Sequence, residues 1–416
     1  MKTDVIALCK DLIAIPSINP MGRDDLDPTL TGEARVNDYI RHFVKAAGVD
    51  IVVQRTDVPG RENVGGMIVK GSRFPTLVLQ CHTDTLGVGD HPSLLKPAVC
   101  KGRLYGRGAT DDKGGLAAML VALAEAALHP ARVRNNVIVL GVSDEEYKGK
   151  GSLALVAQPP TKGADFGLVG EPTECRIVNG FKGVARWDLV TTGRSVHSSM
   201  PQKGVSAIYR MARLVSLIED YQRELAKIED PPLGCETISV GRIVGGTAVN
   251  VVPDSCTIEI DQRITRKTRA ADAPKRLAAY LRKRGMRFPV IPSAMKDVED
   301  AVLIAASHPG ISLLGRMCLA QGLNPRPCQV AYGSDAFRMN RGGIPTVLWG
   351  PGSIKVAHSN DEYVEIRQLE QAVIFYLELM QTDLQKAGVR MKYSPGSKNW
   401  ARSHTANGKS SIRRRQ

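Results

Sequence analysis

Gln80-Cys81-His82-Thr83-Asp84 directly follows the apolar run Thr76-Leu77-Val78-Leu79, which puts an imidazole and a carboxylate two positions apart at the C-terminal end of a strand. Side chains two apart on a strand share a face. Open α/β sheets bind ligands outside the carboxyl ends of their strands, so this pair is a candidate metal ligand with the acid that orients it. Four more clusters of ligand type follow. The glycine-rich turn Gly106-Arg107-Gly108-Ala109-Thr110-Asp111-Asp112-Lys113-Gly114-Gly115 opens a helix. Its order matches neither the phosphate-binding loop nor the dinucleotide fingerprint, and Asp111 is either a helix N-cap or a carboxylate bridging two metals. Ser143-Asp144-Glu145-Glu146 places three adjacent acids after a strand, either as a solvated loop or with a cation or proton between them. Gly170-Glu171-Pro172-Thr173 and Ala357-His358-Ser359-Asn360-Asp361-Glu362 complete the set. Each cluster alone has an ordinary structural explanation. Together, His, Asp, Glu, Glu and His at strand ends of one domain supply the mixed N and O ligands of a pair of zinc-like ions.

Holding such side chains together requires a layered sheet. The first 180 residues alternate helical and strand patterns: helices are expected over 4–15 and 33–47, strands over 51–54, 64–69, 76–81, 136–142 and 166–169, and an Ala/Leu-rich helix over 114–128. This is the pattern of an α/β domain with a mixed, mainly parallel sheet. From 181 the grammar changes to strands over 183–192, 236–244, 255–264 and 288–291, with helices over 205–228 and 271–284. That β-α-β-β-α-β order matches a ferredoxin-like α+β domain. The first pattern then resumes with a helix over 301–321, a strand over 346–349 and a helix over 365–380. The expected organisation is therefore a catalytic domain in two parts, 1–180 and 298–385, an inserted domain over 181–297, and a tail over 386–416.

Composition narrows the class. With 416 residues and 43% hydrophobic content, the chain can bury the cores of two or three domains. No apolar run approaches the roughly 18 residues a membrane span needs, and Lys10 and Asp11 interrupt the start before a signal-peptide core could form. Eight cysteines without a C-x-x-C pair favour reduced thiols and a cytoplasmic setting. The net charge of +14 invites a nucleic-acid reading, but nine Lys and Arg and no acid lie from Lys386 onward, and removing them leaves +5. The tail reads as a solvated, disordered extension, because no finger motif or aromatic-interleaved basic strand accompanies it.

The order and wording of the five clusters resemble the M20 family of metallohydrolases, in particular its acetylornithine deacetylase and succinyl-diaminopimelate desuccinylase branch. The resemblance runs from Leu12-Ile13-Ala14-Ile15-Pro16-Ser17 to about Met380. It implies His82 and His358 as terminal ligands of two metal ions, Asp111 as their bridge, and Glu146 and Glu171 as the remaining ligands. Zinc is the implied metal, with cobalt or manganese as alternatives. Asp84 resembles the acid that orients His82, and Glu145 the general base. In the insert, implied to be a dimerisation and lid domain, His197 resembles the histidine that stabilises the oxyanion in a neighbouring subunit's site. Arg263 resembles the clamp for a substrate α-carboxylate, and Asn250, Gly333 and Ser334 resemble substrate-lining positions. The resemblance also implies a homodimer and a cis peptide bond after Asp111. Asp112 departs from it, since relatives commonly carry an apolar or small residue there; this extra carboxylate either tunes metal affinity or points to solvent. The expected activity is hydrolysis of a small N-acyl amino acid. A dipeptidase or carboxypeptidase on the same scaffold is the alternative within the class, and a nucleic-acid-binding protein using its tail the alternative outside it.

Overall fold

Short apolar runs, doubly buried, form the parallel centre of a sheet. The computed structural model describes residues 4–389, so the basic tail lies, from 390 onward, outside the described residues. Thr76–His82, Asn136–Val142, Phe166–Val169 and Thr346–Leu348 are buried at every position. Continuous burial is what a parallel strand covered on both faces requires. Along the sheet the order is Asp50–Gln54, Asn63–Ile68, Asn136–Val142, Thr76–His82, Phe166–Val169, Thr346–Leu348 and then Val178–Phe181. The three inner pairings are parallel, and the outer ones antiparallel. The sheet is therefore mixed with a parallel centre, as expected. Its four central strands end at one edge, where His82, Glu145, Glu146 and Glu171 stand at or just past strand ends.

The chain divides into two compact units. The first comprises the residues up to Asn179, Ile304–Cys328, and those from Ser334 on; the second is Gly180–Leu303 with Gln329–Gly333. The boundaries fall at Gly180 and Leu303 where 181 and 297 were expected, and nothing in the local pattern announces the small segment at Gln329–Gly333. In the first unit, Lys113–Leu128 is apolar all round and almost wholly buried, packing against Thr76–His82, Val5–Ala14 and Ile366–Gln381. Trp349 stacks on Phe375 with ring centroids 3.7 Å apart, pinning the last helix to the sheet. One expected helix is corrected. The helix placed over 301–321 begins only at Pro309, with His308 as its N-cap, and Val302–Leu303 is instead a strand. Proline has no N–H to donate and its ring crowds the preceding turn, so it fits the first helical turn and not the interior.

The second unit carries Gly183–Thr192, Ala207–Leu225, Thr237–Gly245, Ser255–Ile264, Ala273–Lys283 and Val290–Pro292 in chain order. Across its sheet the sequence is Thr237–Gly245, Ser255–Ile264, Gly183–Thr192, Val290–Pro292, each antiparallel to the next. This is the ferredoxin-like arrangement. Burial alternates along Ser255–Ile264, because one face meets the helices and the other meets water. Trp187, Leu214, Ile218, Ile258 and Leu277 fill the core under those helices.

All eight cysteines are free thiols. Among the described residues no helix is long and apolar enough to cross a membrane.

Candidate metal centre

Parallel strands bring their C-terminal ends together, so residues far apart in the chain converge. His82 is the last residue of Thr76–His82 and is 2% exposed. Its Nε2 lies 2.8 Å from Asp111 Oδ1, and the other oxygen, Asp111 Oδ2, lies 3.0 Å from His358 Nε2. His358 Nε2 also stands 3.3 Å from Glu146 Oε1. The two oxygens of Asp111 thus each face one imidazole, the placement a bridging carboxylate needs. The N-cap alternative for Asp111 does not apply, because Asp112 holds the cap position of the following helix. The Asp111-Asp112 peptide bond is cis.

Asp84 performs two tasks. His82 Nδ1 meets the Asp84 backbone carbonyl at 2.8 Å and its carboxylate at 3.5 Å. The same carboxylate accepts the backbone N–H groups of Glu145 and Glu146, at 3.1 Å each. It therefore aligns one histidine and anchors the turn that presents two acids. Glu171 is buried after Phe166–Val169. His82, Asp111 and Glu146 offer ligand atoms within 4.8 Å of one another, a group able to hold a metal ion. His358 joins through Asp111 and Glu146, whereas Glu171 stands outside that tight group.

The electrostatics are those of an acid cluster short of positive charge. Burial pushes the Glu171 carboxyl well up, and Glu145, Asp111 and Asp112 add repulsion. Burial likewise raises Glu145 well above the carboxylate range, with Asp335 and Glu146 adding to it against His82. Glu146 is raised by burial too. Asp111 runs opposite: burial would lift it, but His358 and His82 hold it far below its usual value. Hydrogen bonds to Asp111 and Glu146 raise His358 to about 10. For His82, burial favours the neutral ring, yet Asp111 and Asp84 keep it well above the usual imidazole value. Mixed N and O donors around a surplus of buried acid fit a divalent cation, whose charge relieves the crowding.

Asp112 does not point to solvent. It is fully buried, accepts the His82 backbone N–H at 3.3 Å, and is pushed up to about 8 by burial. Space around it is tight: a Cβ added at Gly115 would lie 2.8 Å from Asp112 Oδ1, from Cys81 Sγ and from the Gly170 carbonyl oxygen. Gly115→Ala should therefore cost about 1–3 kcal/mol of stability by overpacking, read as a lowered urea midpoint at unchanged slope.

Two supports were hidden in the sequence. Glu362, grouped above with His358 but given no role, is 1% exposed, and its Oε1 accepts the N–H groups of Gly108, Thr110 and Asp111 at 2.9, 3.0 and 3.2 Å. Its Oε2 takes Arg107 Nη1 at 2.6 Å. Glu362 thereby ties the turn carrying Asp111 to the loop carrying His358. Lys113 is fully buried and donates to the carbonyls of Leu12 and Ile15 at 2.9 and 2.8 Å, fastening the end of Val5–Ala14. A G-x-G turn followed by Asp-Asp-Lys carried no signal for either contact.

Of the remaining candidates, Ser334 belongs to the first unit, and His197, Asn250, Arg263 and Gly333 to the second. His197, in the second unit, is exposed, with Nδ1 2.8 Å from Ser199 Oγ. The Asn250 carbonyl accepts the Ser198 N–H at 2.9 Å. Arg263, on Ser255–Ile264, is engaged by the Asp261 carboxylate at 2.9 and 3.3 Å. Gly333 falls in the second unit and Ser334 in the first, where its hydroxyl accepts the Ala336 N–H at 3.1 Å.

Residues 78–382 match the peptidase family M20/M25/M40. An acetylornithine deacetylase of Myxococcus xanthus is 30% identical over 349 residues, covering 80% of this chain and 87% of the relative. A probable carboxypeptidase of Emericella nidulans is 26% identical over 419 residues, covering 92% and 90%. Among solved structures, an M20 family metallo-carboxypeptidase from Sulfolobus solfataricus superposes with a TM-score of 0.74 at 18% identity, covering 92% of this chain and 99% of that one. The last comparison speaks for the fold; the match along the chain speaks for descent. The chain belongs to the M20/M25/M40 peptidase family. It is accordingly a metal-dependent hydrolase acting on amide bonds.

Proposed function

We propose that this chain is a cytoplasmic, homodimeric amidohydrolase that uses two zinc ions to release the acyl group from the amine of a small N-acyl amino acid, such as acetylornithine or succinyl-diaminopimelate. The observation that carries this reading is Asp111, whose two carboxylate oxygens face His82 at 2.8 Å and His358 at 3.0 Å. His82 and Glu171 would hold one ion and Glu146 and His358 the other, with Asp111 between them. When bound, two such ions lower the pKa of a water and polarise an amide carbonyl.

The chain's own residues do the rest. Glu145 takes a proton from the attacking water and delivers it to the leaving amine, the work of a positioned carboxylate. Asp84 keeps the Glu145 backbone and the His82 ring fixed during that exchange. His197, exposed on the second unit, is free to present its imidazole to the oxyanion of a partner subunit's substrate. Arg263 offers a planar, two-pronged donor to the substrate carboxylate, in exchange for its present partner Asp261. Support for a dimer comes from Thr237–Gly245, an edge strand of the second unit with Ile243 and Val244 more than half exposed.

A carboxypeptidase of the same family is the second reading, favoured by the probable carboxypeptidase among the relatives. Both are read by one panel, in which N-acetyl-ornithine, N-succinyl-diaminopimelate and C-terminal dipeptides are assayed with zinc, cobalt or manganese added. The proposal expects the highest kcat/KM on an N-acyl amino acid; higher kcat/KM on the dipeptides replaces it with the peptidase reading.

A further inference from the structure

Asn19 sits 2% exposed in a loop whose backbone N–H is held by the Thr85 carbonyl at 2.8 Å. Its side-chain Nδ2 lies 2.7 Å from Asp84 Oδ2 and 3.1 Å from Asp144 Oδ1, while its Oδ1 accepts the Met21 N–H at 2.9 Å. One amide thus donates to two carboxylates and has its own acceptor satisfied. Asp144, the first of three adjacent acids, has a left-handed φ of 66°, and its Oδ1 also takes Arg61 Nη1 at 2.6 Å. Arg61 Nε reaches Glu33 Oε2 at 2.8 Å, and Glu33 Oε1 accepts the Asp144 N–H at 3.1 Å. The result is a buried chain running from Glu33 through Arg61, Asp144 and Asn19 to Asp84, the acid that holds the Glu145 and Glu146 N–H groups. Buried carboxylates as close as Asp84 and Asp144 repel unless donors separate them. Arg61 covers one side of Asp144, and among the described residues the Asn19 amide is the group that hydrogen-bonds both acids.

We propose that Asn19 is a positioning residue for the hydrolytic centre: its amide clamps Asp84 to Asp144 and so fixes the turn that carries Glu145 and Glu146. The proposal rests on the amide-hydrolase reading of that centre. The shape of the side chain is secondary to its two N–H donors, which makes the isosteric Asn19→Asp the sharp variant, since it sets a third acceptor between two carboxylates. Asn19→Ala only leaves the donors missing.

The test compares wild type, Asn19→Ala and Asn19→Asp for kcat and KM on the best substrate, and for zinc affinity of the metal-free proteins by calorimetry, with melting temperatures recorded alongside. Losing a partner that orients a ligand typically costs about 10–100-fold in metal affinity or activity. The expected result is a loss of that size in kcat and in zinc affinity at unchanged KM, with Asn19→Asp worse than Asn19→Ala. Wild-type values for Asn19→Asp, or equal losses in the two variants, overturn the proposal. Because zinc affinity is read without substrate, the clamp is judged even where no N-acyl substrate is turned over, which instead removes the functional reading. If both Asn19 variants fail to fold, Arg61→Lys reads the same chain from its outer end: it keeps the cation but loses the paired donors. A tenfold weaker zinc affinity there supports the clamp, and wild-type affinity overturns it.

Discussion

Glu145→Ala should abolish hydrolysis while leaving bound metal in place. Glu145 is not in the group whose ligand atoms converge, which is His82, Asp111 and Glu146, so its loss removes proton transfer and spares coordination. A positioned general base contributes typically about 10²–10⁴-fold, and here the same carboxyl also returns the proton to the leaving amine, which places the expected loss at the upper end. Its backbone N–H remains on Asp84 in the variant, so Glu146 keeps its place. The check pairs turnover with metal content by atomic emission. Turnover near wild type would remove the mechanism; loss of metal together with activity would move Glu145 among the ligands.

Asp111→Ala should lose both metal and activity, and its loss of turnover should exceed the about 10⁴-fold upper end for a general base. Among the described residues Asp111 is the side chain paired with both imidazoles, so without it His82 and His358 lose their shared partner. The metal-free protein also changes in a defined direction. The Asp111 carboxyl is held far below its usual value, so the stability it contributes is present above the ordinary carboxylate range and lost only as pH falls through its depressed folded value. His358, raised to about 10, contributes below its ordinary imidazole value and loses that contribution as pH rises through about 10. In the wild type a cation entering near neutral pH must expel the His358 proton. With Asp111 gone, the largest cause of that raised value goes with it, so zinc added to the variant should release fewer protons, as calorimetry in buffers of different ionisation enthalpy measures. Wild-type metal content in Asp111→Ala would end its role as the bridge.

What could be read in the sequence was whatever obeys a local period. The four central strands are continuous apolar runs, and Asn136–Val142 and Ser255–Ile264 begin and end where expected. Because parallel strands end on one edge, His82 and the acids after Val142 and Val169 could be assigned to one place from strand ends alone. The helix over 301–321 was overextended because its apolar spacing continues upstream of Pro309, where the missing N–H decides the start. The supports were illegible for a different reason. Asn19 meets Asp144 across 125 positions and Arg61 meets Asp144 across 83, and no period relates such residues. Asp112 was left between two roles, and its complete burial decides against solvent. Adjacent letters group Asp144 with Glu145 and Glu146, but its left-handed φ takes its carboxylate to Asn19 and Arg61.

The Glu362 brace has a consequence for biosynthesis. Arg107 and Glu362 stand 255 positions apart, and the second unit is translated between them. While a ribosome is still making that unit, the glycine-rich turn has no acceptor for three of its amides and His358 does not yet exist. A nascent chain stalled before residue 358 should therefore discriminate poorly among cations, and selective loading waits until the last helix has emerged and docked.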